Sequence, residues 1–229
     1  MARTIPPTAL SFLSKLKRNN RRDWFKPRKH QFEAECRDLV LAWFDELAPS
    51  ILKLAPLLFV DASPSGGSLR RIYRDTRFGG DKQPYKTHLA LLMPHVEVEG
   101  NLDAPCFYLQ IAPGDSWFAA GLYGPTTAQK QRVRRAIQTA PDDWRRATQS
   151  PAFRRQFAWV DGSLKRRPRG VEADDPSLVD LMRQRWAVRS AKFDDSLVTD
   201  DRFAKTLQPL LKSAAPMVKF PSQAINLGW

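Results

Sequence analysis

Apolar positions follow two different periods along the chain. Leu10, Leu13 and Leu16 are spaced to share one face of a short helix running from a Thr8 cap to about Lys17, and Asn19-Asn20 breaks it. Asp23 opens a second helical stretch whose first turn Pro27 disturbs. From Phe32 the helical period is strong: Phe32, Cys36, Leu39, Val40, Trp43, Phe44 and Leu47 fall on one stripe, and Pro49 is predicted to close it. After the irregular Ser63-Pro64-Ser65-Gly66-Gly67-Ser68 the pattern changes to short buried strands, His88 to Met93, Pro105 to Ala112 and Ser116 to Tyr123. Pro113-Gly114-Asp115 should turn the last two into a hairpin. Gly121 and Gly124 thin the return strand where another backbone or a ligand can approach.

The helical period resumes after Pro125. Thr126 or Thr127 can cap a helix carrying Val133 and Ile137, followed by helices over Asp142 to Thr148 and Pro151 to Phe157. Pro176 to Arg183 reads as helical, Trp186 to Val188 as an edge strand, and about Asp201 to Leu211 as a final helix. Helices, an antiparallel strand block and helices again predict an α+β fold, a central antiparallel sheet covered by helices, in a single domain over 1–229. A parallel α/β sheet would need crossover helices between those strands, and they are absent.

Composition bounds the class. The 42% hydrophobic content, with 13 Phe and 7 Trp, supplies a full aromatic core and excludes disorder as the overall state. Cys36 and Cys106 lack any zinc spacing, so no metal site is predicted and both read as buried free thiols. The first twenty residues lack the apolar core and cleavage site of a signal peptide, and no run is long enough to span a bilayer. The default expectation is cytoplasmic.

Charge adds a second picture. The 37 Lys+Arg against 24 Asp+Glu give +13, which favours polyanionic partners. Between Leu69 and His88, Arg70, Arg71, Arg74, Arg77, Lys82 and Lys86 face only Asp75 and Asp81, with Tyr73, Phe78 and Tyr85 interleaved. Guanidinium keeps its charge at any physiological pH, so a folded cluster of this kind needs an anion or acidic partners. Surface ion pairs contribute only ~0–1 kcal/mol each, a weak reason to gather six cations. Arg71, Arg74, Arg77, Lys82 and Lys86 are the candidate anion contacts, and Tyr85 an orienting group. Strand neighbours alternate faces, so Arg70 and Arg71 should not both enter one site. The Ser65-Gly66-Gly67-Ser68 amides could form a nest, though P-loop spacing is absent. Lys165, Arg166, Arg167 and Arg169 form a second basic patch on a loop bent by Pro168 and Gly170.

Three functional classes follow. The first is binding of a phosphate-bearing ligand, nucleic acid ahead of a small nucleotide. The second is an enzyme acting on a phosphorylated substrate, with Asp75 or Asp81 as base and His88 assisting. The third is a basic module that docks an acidic protein. No HExxH, GxSxG, GxGxxG or kinase-like set occurs, and no cofactor is indicated. His30 and His95 read as exposed helix and turn residues.

The segments FLSKLKRNNRRDWFKPRKHQFEAE (Phe12–Glu35), PSGGSLRRIYRDTRFGGDKQPYKTH (Pro64–His88), PCFYLQIAPGDSWFAAGLYGP (Pro105–Pro125) and LKRRPRG (Leu164–Gly170) resemble the DUF2461 family of uncharacterised proteins. The resemblance implies a single intracellular domain whose signature coincides with the cationic segment. It implies no activity, cofactor or catalytic residue. The usual pattern often has a polar residue or serine after RF where this chain has Gly79-Gly80.

Overall fold

A computed structural model describes residues 4–75, 83–98, 103–172 and 174–229. Helix α1 (Pro7–Arg18) starts at Pro7 rather than after a Thr8 cap. Proline suits the first helical turn because its missing N–H would have no partner there. Thr8 instead reaches across to the Glu35 carbonyl at 3.3 Å. A chain of short turns follows: α2 (Arg22–Phe25), a 3₁₀ turn (Lys26–Arg28), α3 (Lys29–Phe32) and a π turn (Glu33–Arg37) lead into α4 (Asp38–Leu54). Pro49 lies inside α4 and does not close it. The one hydrogen bond that proline forfeits is outweighed by burial of Leu47 and Ile51 on either side. Leu39 departs from the expected stripe and is exposed.

Strands β1 (Leu89–Pro94), β2 (Cys106–Ile111) and β3 (Trp117–Leu122) form the expected antiparallel block. Then come α5 (Thr127–Thr139), α6 (Pro141–Thr148) and α7 (Pro151–Gln156), β4 (Phe157–Trp159), α8 (Leu178–Leu181), β5 (Trp186–Ser190), α9 (Asp195–Val198) and α10 (Phe203–Ala224). Thr126 caps α5 through a reciprocal pair: Gln129 N–H donates to Thr126 Oγ1 at 3.2 Å, and Thr126 N–H donates to Gln129 Oε1 at 2.8 Å.

The sheet order is β1-β2-β3-β5-β4, all antiparallel, so the fold is α+β. Three expectations are corrected here. Trp186 to Val188 belongs to an interior strand, because Phe157–Trp159, too short to show a period of its own, adds the outer strand β4. Only Leu178–Leu181 of the expected Pro176–Arg183 stretch is helical. The last helix runs on to Ala224 through Pro209, Pro216 and Pro221, because Ala214, Met217, Val218 and Phe220 bury against the core.

Side-chain alternation divides the sheet into two faces. Leu89, Leu91, Phe107, Leu109, Phe118, Ala120 and Val188 join the helices in one aromatic-rich core. Ala90, Leu92, Cys106 and Ala187 are buried as well but stand apart from that core, on the opposite face. His95 is fully buried, not exposed: its Nε2 lies 3.0 Å from the Gly228 carbonyl and its Nδ1 accepts from Glu97 N–H at 3.3 Å. Those partners place the proton on Nε2 and tie the chain's end to the rim of the sheet. His30 is exposed.

Candidate functional site

The cationic segment forms the two arms of an irregular hairpin along β1. Leu69 bridges Leu91 and Tyr73 bridges Tyr85. Backbone bonds fasten the arms: Arg70 N–H to Ala90 O (2.8 Å), Lys86 N–H to Ile72 O (2.7 Å) and Arg74 N–H to Pro84 O (2.9 Å). The second arm carries two residues more than the first between the bridges, a bulge of the kind found at sheet edges. Ile72 and Tyr85 turn into the core, and Tyr73 stays outside. Arg77, Lys82 and Asp81, with Phe78 and Gly79-Gly80, lie outside the described residues.

Asn20 holds the hairpin against the N-terminal helices. Its amide donates to Tyr85 O at 2.9 Å and to Gln83 Oε1 at 3.1 Å, and its Oδ1 accepts from Tyr85 N–H at 3.1 Å. Phe25 then stacks on Tyr85 with ring centroids 4.2 Å apart, and Tyr73 meets the edge of the same pair. Around these rings a pocket of about 350 Å³ is lined by Arg22, Lys26, Lys29, Arg74 and Pro84 with Phe25, Tyr73 and Tyr85. Lys29 has a carboxylate neighbour, Glu33, at 3.9 Å. Burial, first of all, raises the Tyr85 phenol pKa; nearby Tyr73 and Asp23 add to this and Arg22 opposes it. The phenol therefore stays a donor at neutral pH.

Two half-buried groups report crowding of positive charge. Burial lowers the Lys86 pKa, and Arg70, Arg71 and Arg74 lower it further by repulsion. Burial likewise lowers the His88 pKa, with Lys86 and Arg74 adding to it and Asp115 opposing. Asp115 is itself engaged by Lys192 at 2.8 Å and by the Gln110 amide at 2.9 Å. An anion among these groups would relieve that repulsion.

Of the sequence candidates, Arg74 and Tyr85 line the pocket beside the N-terminal helices, Lys86 and His88 lie close enough to Arg74 to feel its charge, and Arg71 is exposed. Arg70 lines a separate hollow with Gly66, Gly67, Leu92 and Pro94, on the sheet face away from the core. Asp75 is exposed at the hairpin's outer end. The Ser68 N–H is directed to the Asp61 carbonyl at 2.8 Å, so it does not face an anion. Lys165, Arg166, Arg167 and Arg169 are exposed. Among the described residues no group of three His, Cys, Asp or Glu is placed to hold a metal ion.

Sequence reasoning missed Arg22, Lys26 and Lys29. Their signal was present, since RRDWFKPRKH interleaves cations with aromatic rings as the hairpin does. It also missed a larger concavity of about 480 Å³ over the sheet face away from the core. Ala119, Gly121, Ala158 and Ala187 floor it, and Tyr108, Trp117, Tyr123, Arg185 and Arg189 stand around them. Arg185 lies over the Tyr123 ring at 4.8 Å and Arg189 over Trp117 at 5.4 Å. Burial pushes the Tyr108 phenol and the Cys106 thiol each up to about 12, so neither ionises.

Among the described residues no helix is long and apolar enough to cross a membrane. A family described as "Conserved hypothetical protein (DUF2461)" matches over residues 8–220. No curated protein and no solved structure matches the chain.

Proposed function

We propose that this chain, which belongs to the DUF2461 family, binds a phosphate-bearing ligand, a polynucleotide in preference to a free nucleotide. The observation that carries this reading is the pocket in which Arg74 and Tyr85 of the hairpin meet Arg22, Lys26 and Lys29 of the N-terminal turns. Arginine supplies a planar fork for two phosphate oxygens, lysine a point charge, and the protonated Tyr85 phenol a further donor. Crowding at Lys86 and His88 supports the same reading, because a bound anion lowers the energy of every cation around it. The overall +13 charge favours encounter with an extended polyanion.

Fluorescence anisotropy with labelled single- and double-stranded oligonucleotides, over a range of salt, tests it. If four pocket cations each neutralise a phosphate, log affinity should fall against log salt with a slope of roughly −3 to −4, depending on the strand form. Replacing Arg22, Lys26 and Lys29 together by Ala should flatten that slope by about two to three. No binding of either form at low salt, with no rise in melting temperature from nucleotides, would overturn the proposal.

A further inference from the structure

We infer that the sheet face turned away from the core is a stacking platform for the unpaired bases of single-stranded nucleic acid. This rests on the phosphate-binding reading and narrows it to one form of ligand. A covered sheet face places aliphatic groups between its layers, as the core face does here with Leu91, Leu109 and Val188. Over β2, β3 and β5 the opposite face is built differently, whereas on β1 it too is aliphatic, with Ala90 and Leu92 buried. Tyr108 and Trp117 sit on neighbouring strands with ring centroids 5.1 Å apart, and Tyr123 stands at the end of β3.

Two features select the occupant. The floor between the rings is low, because small residues dominate it (alanines, Gly121 and Cys106, with Val160 beside them), and Ala119 on an interior strand remains partly exposed. That leaves a shallow slot for flat groups, where a branched side chain would fill the space. The second feature is charge. Arg185 and Arg189 stand over rings and form no salt bridge with a described carboxylate, although Arg189 lies near enough to Asp115 to help lower its pKa; Arg185 donates to the Asp161 carbonyl at 2.9 Å. Arg70 lies at the far edge of the same face, next to Leu92 and Pro94. From the arm that carries Arg70 to β5, which carries Arg189, there are four strand-to-strand steps in order, about 19 Å at the usual spacing. Aromatic rings interspersed with guanidinium groups over that distance suit bases in series on a phosphate chain, since rings and guanidinium planes both stack on bases. A duplex keeps its bases stacked inside and cannot offer them to these rings.

The test uses the full chain and three labelled probes of about twelve units, a length within usual single-strand site sizes. They are a single strand (oligo-uridine, with oligo-thymidine in parallel), a matched duplex, and an abasic phosphodiester of equal charge. The single strand, whether RNA or DNA, should bind at least tenfold more tightly than the abasic chain. Trp117→Ala and Tyr108→Ala should each reduce that affinity by roughly 5- to 150-fold per stacked base, leaving the salt slope unchanged. Trp117→Phe should retain most of it, which separates loss of a ring from loss of fold. Equal binding of single-stranded and abasic probes, with ring variants unaffected while the Arg22/Lys26/Lys29 variant loses affinity, overturns this inference and leaves phosphate binding in place. Failure of every probe to bind at low salt overturns both. Selective binding of a small aromatic anion such as naphthoate, blocked by Trp117→Ala in the absence of oligonucleotide binding, also overturns it.

Discussion

The two faces of the sheet are cut from the same strands, yet they are lined differently. Phe118 and Ala120 of β3 point into the core, and Trp117, Ala119 and Gly121, alternating with them, line the open concavity. On the core side neighbours are aliphatic or aromatic and fully dry. On the other side rings stand beside arginines over a floor of small residues. The contrast separates what folds the chain from what it can hold. Burial of apolar area explains the first face, whereas aromatic rings left partly exposed beside arginines gain little for stability and need another explanation.

The largest expected effect tests that contrast directly. Phe118→Ala should destabilise the protein by about 3–5 kcal/mol, the usual cost of emptying a buried phenyl site. Trp117→Ala, one residue away on the open face, should cost no more than about 1 kcal/mol, because that ring is partly exposed and its neighbours can relax. Urea denaturation of both variants measures the difference, and equal losses would mean that the open face is a second core.

Gly121 sharpens the comparison from the backbone. It holds φ near +113°, and a Cβ there would collide with the Trp186 carbonyl of β5. Gly121→Ala should therefore destabilise by about 1–3 kcal/mol even though the residue faces the open side. A smaller loss, read in the same denaturation experiment, would show that β3 and β5 can separate to admit a methyl group. In that case the shape of the floor would not be fixed by this contact.

The two faces also differed in how legible they were. Short apolar runs in His88–Met93, Pro105–Ala112 and Ser116–Tyr123, with a turn signal between the last two, mark three strands and their hairpin. β4 was missed because Phe157–Trp159 is too short for any period to register, and that hid the interior position of β5. α10 looked shorter than it is because Pro216 and Pro221, beyond the expected end at Leu211, carry a local penalty that tertiary burial overrides. At the site, the charge run pointed to the hairpin. The partners of Arg74 and Tyr85 lie some fifty residues earlier in the chain and meet them through the Asn20 clamp and the Phe25 stack, which no local pattern announces. The open face was hidden for another reason. Tyr108 and Trp117 look like ordinary strand residues, and Arg189 lies just past the expected strand Trp186 to Val188, until the register brings the three together on one face.

The smallest effect concerns the hairpin, where the charges crowd, as against the sheet, where they are spread out. His88 is half-buried, and Lys86 and Arg74 repel its imidazolium while Asp115 opposes them, so its folded pKa lies below the ordinary value. In the unfolded chain imidazole takes up a proton near pH ~6.5, and in the folded chain only at lower pH. The unfolded state thus binds more protons in between, and stability rises with pH across that window. The contribution is complete above about pH 6.5 and is lost as pH falls through the lowered folded value. Melting temperature measured from neutral pH into mild acid should therefore decline more steeply in the parent than in His88→Gln. Adding inorganic pyrophosphate should make the parent profile shallower, because an anion beside Lys86 and Arg74 removes the repulsion that keeps the proton off. Superimposable profiles for parent and variant would show that the hairpin cations point apart, and the crowding that calls for an anion would be absent.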